Sequence, residues 1–93
     1  MPRPTRATPA ERSPGWPEAP SPDAVAESAR RLALAVRDAI DGRSLRAVAD
    51  EIGVDRTTLA KVVDGRAWVD IETLARLEAG FGLPLWPGTS APG

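Results

Sequence analysis

Gly53 interrupts two short apolar patterns, and what a chain can do around that glycine is tightly limited. Residues 45–64 read LRAVADEIGVDRTTLAKVVD. Leu45, Val48, Ala49 and Ile52 fall at i, i+3, i+4 and i+7, one apolar face of a short helix. Gly53 can adopt positive φ and stop that helix sharply. Asp55 then stands where an N-cap is wanted, and Leu59, Val62 and Val63 give the next helix its inner side. Two helices this short and this close must cross over a tight turn. Ala49 is small where the second should approach, and Val54 fills the corner between them.

The pattern continues in register. Asp64-Gly65-Arg66 closes the second of these helices, and Ile71-Glu72-Thr73-Leu74-Ala75-Arg76-Leu77 leads to Phe81-Gly82-Leu83. Taken with an upstream helix, these residues resemble the small phage-repressor and Cro-like helix-turn-helix proteins over about two thirds of the chain. The resemblance implies an all-α, compact, four- to five-helix, lambda-repressor-like domain that places its third helix in a DNA major groove. One departure stands at the start of the second helix. Leu45 occupies a position where such proteins carry a polar residue, and Arg43 one where they carry an apolar residue. That start is therefore open to a shift or to different packing.

The remaining organisation follows from local signals. Met1–Pro22 holds seven prolines and almost no apolar periodicity, so residues 1–21 read as a disordered tail. Its lone large apolar residue, Trp16, reads as solvated or transiently docked, with a partner-binding anchor as the sharper alternative. A start of translation downstream of the tail is the plain third option. The first helix should run from Pro22 or Asp23 to Asp41, with Val25, Ala29, Leu32, Val36 and Ile40 inward. Glu27, Arg30, Arg31, Arg37 and Asp38 then form a solvated face, and Gly42 closes the helix. Ser44 should cap the second helix. The third spans Arg56 to about Asp64, and Asp70 should cap a fourth with Ile71, Leu74, Leu77 and Phe81 inward. Gly82 and Pro84 prevent continuation. The domain is thus expected over 22–86, with 87–93 a loose end.

Composition removes several functions. The chain has 93 residues, room for one small domain, and 42% hydrophobic residues to build its core. It has no cysteine and no histidine, so it offers neither a thiolate metal site nor the commonest general base. No metal or cofactor site is expected. No apolar run spans a bilayer and no signal peptide is evident, so the default location is the cytoplasm. Arginine outnumbers lysine eleven to one, and Asn, Gln and Tyr are missing; the Lys, Asn and Tyr shortfalls are what a GC-rich bacterial or phage genome would produce. The net charge of −1 does not announce a nucleic-acid binder. Its distribution says more. Residues 42–66 carry five cations against four anions, whereas 67–93 carry Arg76 against Asp70, Glu72 and Glu78. Non-specific attraction to phosphate should be weak, and useful affinity would need specific contacts or a dimer.

Removing the inward Leu59, Val62 and Val63 from the third helix leaves Arg56, Thr57, Ala60, Lys61 and Asp64 outward. The resemblance independently implies base contacts at Arg56, Thr57 and Lys61. Arg and Lys suit guanine O6 and N7, and a threonine methyl can meet a thymine methyl. Phosphate contacts are expected at Ser44 and the free N–H groups of the second helix, at Arg43, Arg46 and Thr58, and at Arg66. Asp55 reads as a cap, while Asp64 would oppose phosphate unless Arg66 or Lys61 neutralises it. Trp68 should be buried against the domain, a backbone contact through its indole N–H being the alternative.

The leading expectation is therefore a sequence-specific regulator on double-stranded DNA, most simply a repressor acting as a homodimer. The alternative is a protein-interaction module, an antitoxin or adaptor, that contacts a partner through the tail or through Leu83, Leu85 and Trp86. Those three residues are also the expected dimer seam or core lid. An enzyme is the poorest reading, because the remaining acids, hydroxyls and Lys61 show no paired arrangement for acid–base or nucleophilic work.

Overall fold

Each helix starts on a side-chain cap and ends on a left-handed residue. In the computed structural model, which describes residues 6–88, the order is α1 (Ala24–Ile40), α2 (Leu45–Ile52), α3 (Arg56–Asp64) and α4 (Ile71–Phe81). Asp23, Ser44, Asp55 and Asp70 each accept a first-turn backbone N–H. These are donors that have no partner inside the helix. At the other ends stand Asp41, Gly53, Gly65 and Gly82, all at positive φ. No strand occurs among the described residues, so the fold is all-α.

Leu32, Val36 and Ile40 of α1, Val48 and Ala49 of α2, Leu59 and Val62 of α3, and Leu77 of α4 meet in one core. Val54 closes the corner between α2 and α3, and Leu85 seals the far side. Packing of α1 and α2 against α3 holds that helix in place while leaving its outward side free. The second helix starts at Leu45, whose side chain packs against the core, with Ser44 as its cap. The departure from the family pattern therefore leaves the start in the expected register. A feature the periodicity did not reveal is Gly80. A Cβ built there would lie 2.5 Å from the Ile52 Cβ and 3.0 Å from its carbonyl oxygen, so α4 crosses α2 backbone to side chain.

The apolar stripes run one turn too far in the sequence reading. Val25 is 58% exposed and Ile71 85% exposed, because both lie in first turns that project beyond the core. The expected solvated face of α1 also needs correction. Glu27 is buried, accepting from Arg30 Nε and Nη2 at 2.8 Å, from Arg31 Nε at 3.1 Å and from the Ser21 N–H at 2.8 Å. Those donors, Arg30 foremost, hold its carboxyl down at about 2.

Residues 6–20 depart furthest from expectation. They form successive turns laid against α1 and the end of α3, where a disordered tail was expected. The Ala10 N–H donates to the Gly65 carbonyl at 3.0 Å, and Arg30 Nη1 donates to the Pro17 carbonyl at 3.0 Å. Pro9, Ser13 and Pro17 are buried. The Trp16 ring covers Gly65, where a Cβ would come within 2.6 Å of Cε2 and Cζ2. The physical reason is that prolines restrict the unfolded chain as well, so ordering them costs less entropy, and Trp16 supplies apolar area to bury. At the other terminus, the Gly88 carbonyl accepts from Ser28 Oγ at 2.6 Å, so residues 87 and 88 are tied down rather than loose. The expectations for residues 1–5 and 89–93 lie outside the described residues.

Candidate nucleic-acid interface

The turn between α2 and α3 decides what α3 can present. Gly53 sits at φ +72, and the N–H groups of Gly53 and Val54 both donate to the Ala49 carbonyl, at 2.9 and 3.2 Å. The chain thereby leaves α2 at once and buries Val54. Asp55 accepts the Thr58 N–H at 3.2 Å, as an N-cap, which occupies it away from base reading. Leu59 and Val62 anchor α3 from below, and Arg56, Thr57, Lys61 and Asp64 are left exposed.

One side of α3 forms a hollow with α2. Ser44, Arg46, Arg56, Thr57, Ala60 and Arg66 line it, so two of the three base-contact candidates meet three of the phosphate-contact candidates there. Arg46 and Arg56 make no ion pair among the described residues, and both are exposed. Arg66 Nη2 lies 3.2 Å from Asp64 Oδ2 on the surface. That pair offsets the anion that would otherwise face phosphate, and an exposed pair of this kind is weak enough to exchange. The Ser44 hydroxyl accepts the Ala47 N–H at 3.1 Å and serves as a cap.

Arg43 stands apart from this group. Its Nε donates to the Ile40 carbonyl at 2.9 Å, its Nη2 to the Ala39 carbonyl at 2.8 Å, and its Nη1 pairs with Glu51 at 2.8 Å. The guanidinium thus closes the C-terminus of α1 and ties it to α2, a role that favours a cation at the negative end of a helix. Three of its five N–H donors are thereby engaged within the protein, so fewer remain for the phosphate contact expected of it.

Thr58 and Lys61 open toward the α4 side of α3, Lys61 lying next to Thr57 on its exposed face. They share a second hollow with Trp68, Val69, Asp70 and Thr73. Trp68 is half-buried, and its indole N–H donates to the Ala7 carbonyl at 2.9 Å. The guanidinium carbons of Arg6 and Arg12 lie 5.1 and 5.0 Å from its ring centroid. The sequence reading missed this stack. Its one signal was the spacing of cations in a segment set aside as disordered.

Trp86, expected to form one apolar cluster with Leu83 and Leu85, does not do so. Leu85 is buried in the core, and its N–H and that of Trp86 donate to Glu78 Oε2 at 2.7 and 3.0 Å. These two donors hold the Glu78 carboxyl below its usual range. Trp86 remains 57% exposed and separates two shallow apolar hollows, one lined by Val25, Ala29 and Leu32, the other by Ile71 and Leu74.

A short helix held by two others, with cations along its free side and a capped tight turn before it, defines a DNA-reading domain of the regulator class. A helix-turn-helix family model matches residues 36–85, more than half of the chain. The chain belongs to the phage-repressor and Cro-like helix-turn-helix family, whose domains bind DNA as regulators. No curated protein and no solved structure matches it. Among the described residues no helix is long and apolar enough to cross a membrane, and no group of acidic side chains could hold a metal ion.

Proposed function

We propose that the chain is a sequence-specific transcriptional repressor that inserts α3 in the major groove of an operator. The observation that carries this reading is the free, exposed row Arg56, Thr57 and Lys61 on a helix fixed from behind by Leu59 and Val62. Arg56 and Lys61 donate to guanine O6 and N7, and the Thr57 methyl packs on thymine. Arg46, Arg66 and the backbone N–H groups at the start of α2 grip phosphate on one side, and Thr58 offers a hydroxyl on the other. The chain contains no Asn or Gln, so it has no bidentate adenine reader.

One α3 reads too few base pairs for specificity, so the active species is a homodimer on an inverted repeat with half-site centres about 34–36 Å apart. The exposed Trp86, with Val25 and Ile71 beside it, favours that face as the seam; Leu85, once grouped with Trp86, is needed in the core. Selection of bound sequences from random duplex DNA tests the function. Enrichment of one inverted repeat containing guanine supports it. Binding without any enriched sequence rules it out, and co-purification of a protein partner from the native host would then favour the adaptor or antitoxin reading.

A further inference from the structure

A helix lying in a major groove has a phosphate backbone on each side of it. In this chain the two sides of α3 are equipped very differently. On the α2 side, Arg46, Arg56 and Arg66 supply cations from the helix-turn-helix unit itself. On the other side, the segment that follows α3 supplies Asp70 and Glu72, and its cation, Arg76, is paired with Glu72 at 2.8 Å. A phosphate strand approaching there would meet Lys61 against Asp70, with the Glu72–Arg76 pair beyond them, and so no net positive charge from α3 and α4.

The N-terminal strap changes this. Trp68 stands in the same hollow as Thr58 and Lys61, and Arg6 and Arg12 are stacked against its ring. The stack is held from both ends. The Trp68 indole N–H donates to the Ala7 carbonyl, and the Ala10 N–H donates to the Gly65 carbonyl just after α3. Arg12 is also shared with Asp23 at 3.5 Å, whereas Arg6 is exposed and makes no ion pair among the described residues. A guanidinium held over an aromatic ring by cation–π attraction still has N–H donors to offer an anion.

We propose that the Arg6–Trp68–Arg12 stack is a second phosphate-binding site, which clamps the DNA strand on the α4 side of α3. This rests on the DNA-reading function proposed above. The strap then belongs to the binding surface, and the footprint extends beyond residues 36–85 matched by the family model. Arg6 makes the contact, Trp68 positions it, and Arg12 links the strap to the start of α1.

The test is the affinity of full-length protein for its selected operator and for unrelated duplex at several salt concentrations, comparing wild type with Arg6→Ala and Arg6→Lys. Loss of one phosphate contact lowers the salt slope by about one. The ratio of wild-type to Arg6→Ala affinity should therefore fall about 3-fold between 50 and 200 mM salt. Base preference and thermal midpoint should stay as in wild type, and Arg6→Lys should restore the slope. Arg6→Ala binding with wild-type slope and affinity overturns the proposal while leaving the DNA-reading function intact. Tighter binding by Arg6→Ala also overturns it, since it would mean that the strap obstructs DNA. If wild type binds no duplex, both readings fall together.

Discussion

Gly65→Ala separates two effects that a single glycine combines, and Gly53→Ala supplies the control. Both glycines sit at positive φ, +68 and +72, so alanine at either costs about 1–2 kcal/mol of backbone strain. At Gly53 that is the whole cost, because a Cβ meets nothing within 4 Å. At Gly65 the new Cβ would stand 2.6 Å from two carbons of the Trp16 ring and 3.0 Å from the Ala10 Cβ. Ordinary carbon contacts lie about 3.5–4.0 Å apart, so the ring must retreat by roughly 1 Å. Overpacking of this size adds about 1–3 kcal/mol. In a domain of this length each kcal/mol moves the thermal midpoint by about 4–8 °C. Thermal melts followed by circular dichroism should therefore place Gly65→Ala at least about 4 °C below Gly53→Ala. Trp16→Ala should itself destabilise by about 1–3 kcal/mol, less than a well-satisfied buried tryptophan, because the Trp16 indole N–H is buried with no partner among the described residues. In the Trp16→Ala background the excess cost of Gly65→Ala should shrink to what the Ala10 contact leaves, giving a coupling of about 1–3 kcal/mol. Gly65→Ala and Gly53→Ala melting together in the otherwise wild-type chain would refute the docking of the strap.

The other packing and titration predictions are independent of the strap ring. Gly80→Ala should gain about 1 kcal/mol of helix propensity yet lose more through the clash with Ile52, for a net destabilisation of about 1–2 kcal/mol in urea melts; a stabilised variant would mean that α2 and α4 cross less closely. Glu27→Gln should destabilise by about 1.5–3 kcal/mol at neutral pH, since it removes the charge and replaces one of the two oxygens that accept from Arg30 and Arg31 with an NH2 donor. The Glu27 carboxyl is depressed from 4.5 to about 2, so its stabilisation is complete above pH 4.5 and is lost as the pH falls toward 2. The gap between wild type and Glu27→Gln should accordingly close over that window, and a gap independent of pH would contradict the assignment.

Local rules made α2, α3 and the turn between them readable in the sequence. Ser44, Gly53, Asp55, Gly65, Asp70 and Gly82 each act at the backbone position where they stand, so their roles are visible without tertiary context. Val25 and Ile71 were misread because periodicity records which face a residue occupies but not where the core ends. Arg43's internal role was missed for a related reason. Its position beside Ser44 suggested phosphate, while the carbonyls it satisfies belong to the helix before it. The strap was illegible because its contacts join residues distant in sequence, Ala7 to Trp68 and Ala10 to Gly65, and no periodic pattern announces them. Its prolines signalled only the absence of a helix.

The central claim is that α3 reads bases, and Arg56→Ala measured against a panel of single-base operator changes tests it most directly. Arg56 opens α3 with a free guanidinium beside the α2 hollow. Its removal should cost about 1–3 kcal/mol on the best operator and flatten preference at one position, while Arg66→Ala should weaken all sequences alike and lower the salt slope by about one. Preference profiles unchanged from wild type in both Arg56→Ala and Lys61→Ala would contradict the account, because they would show that α3 is not the reading helix.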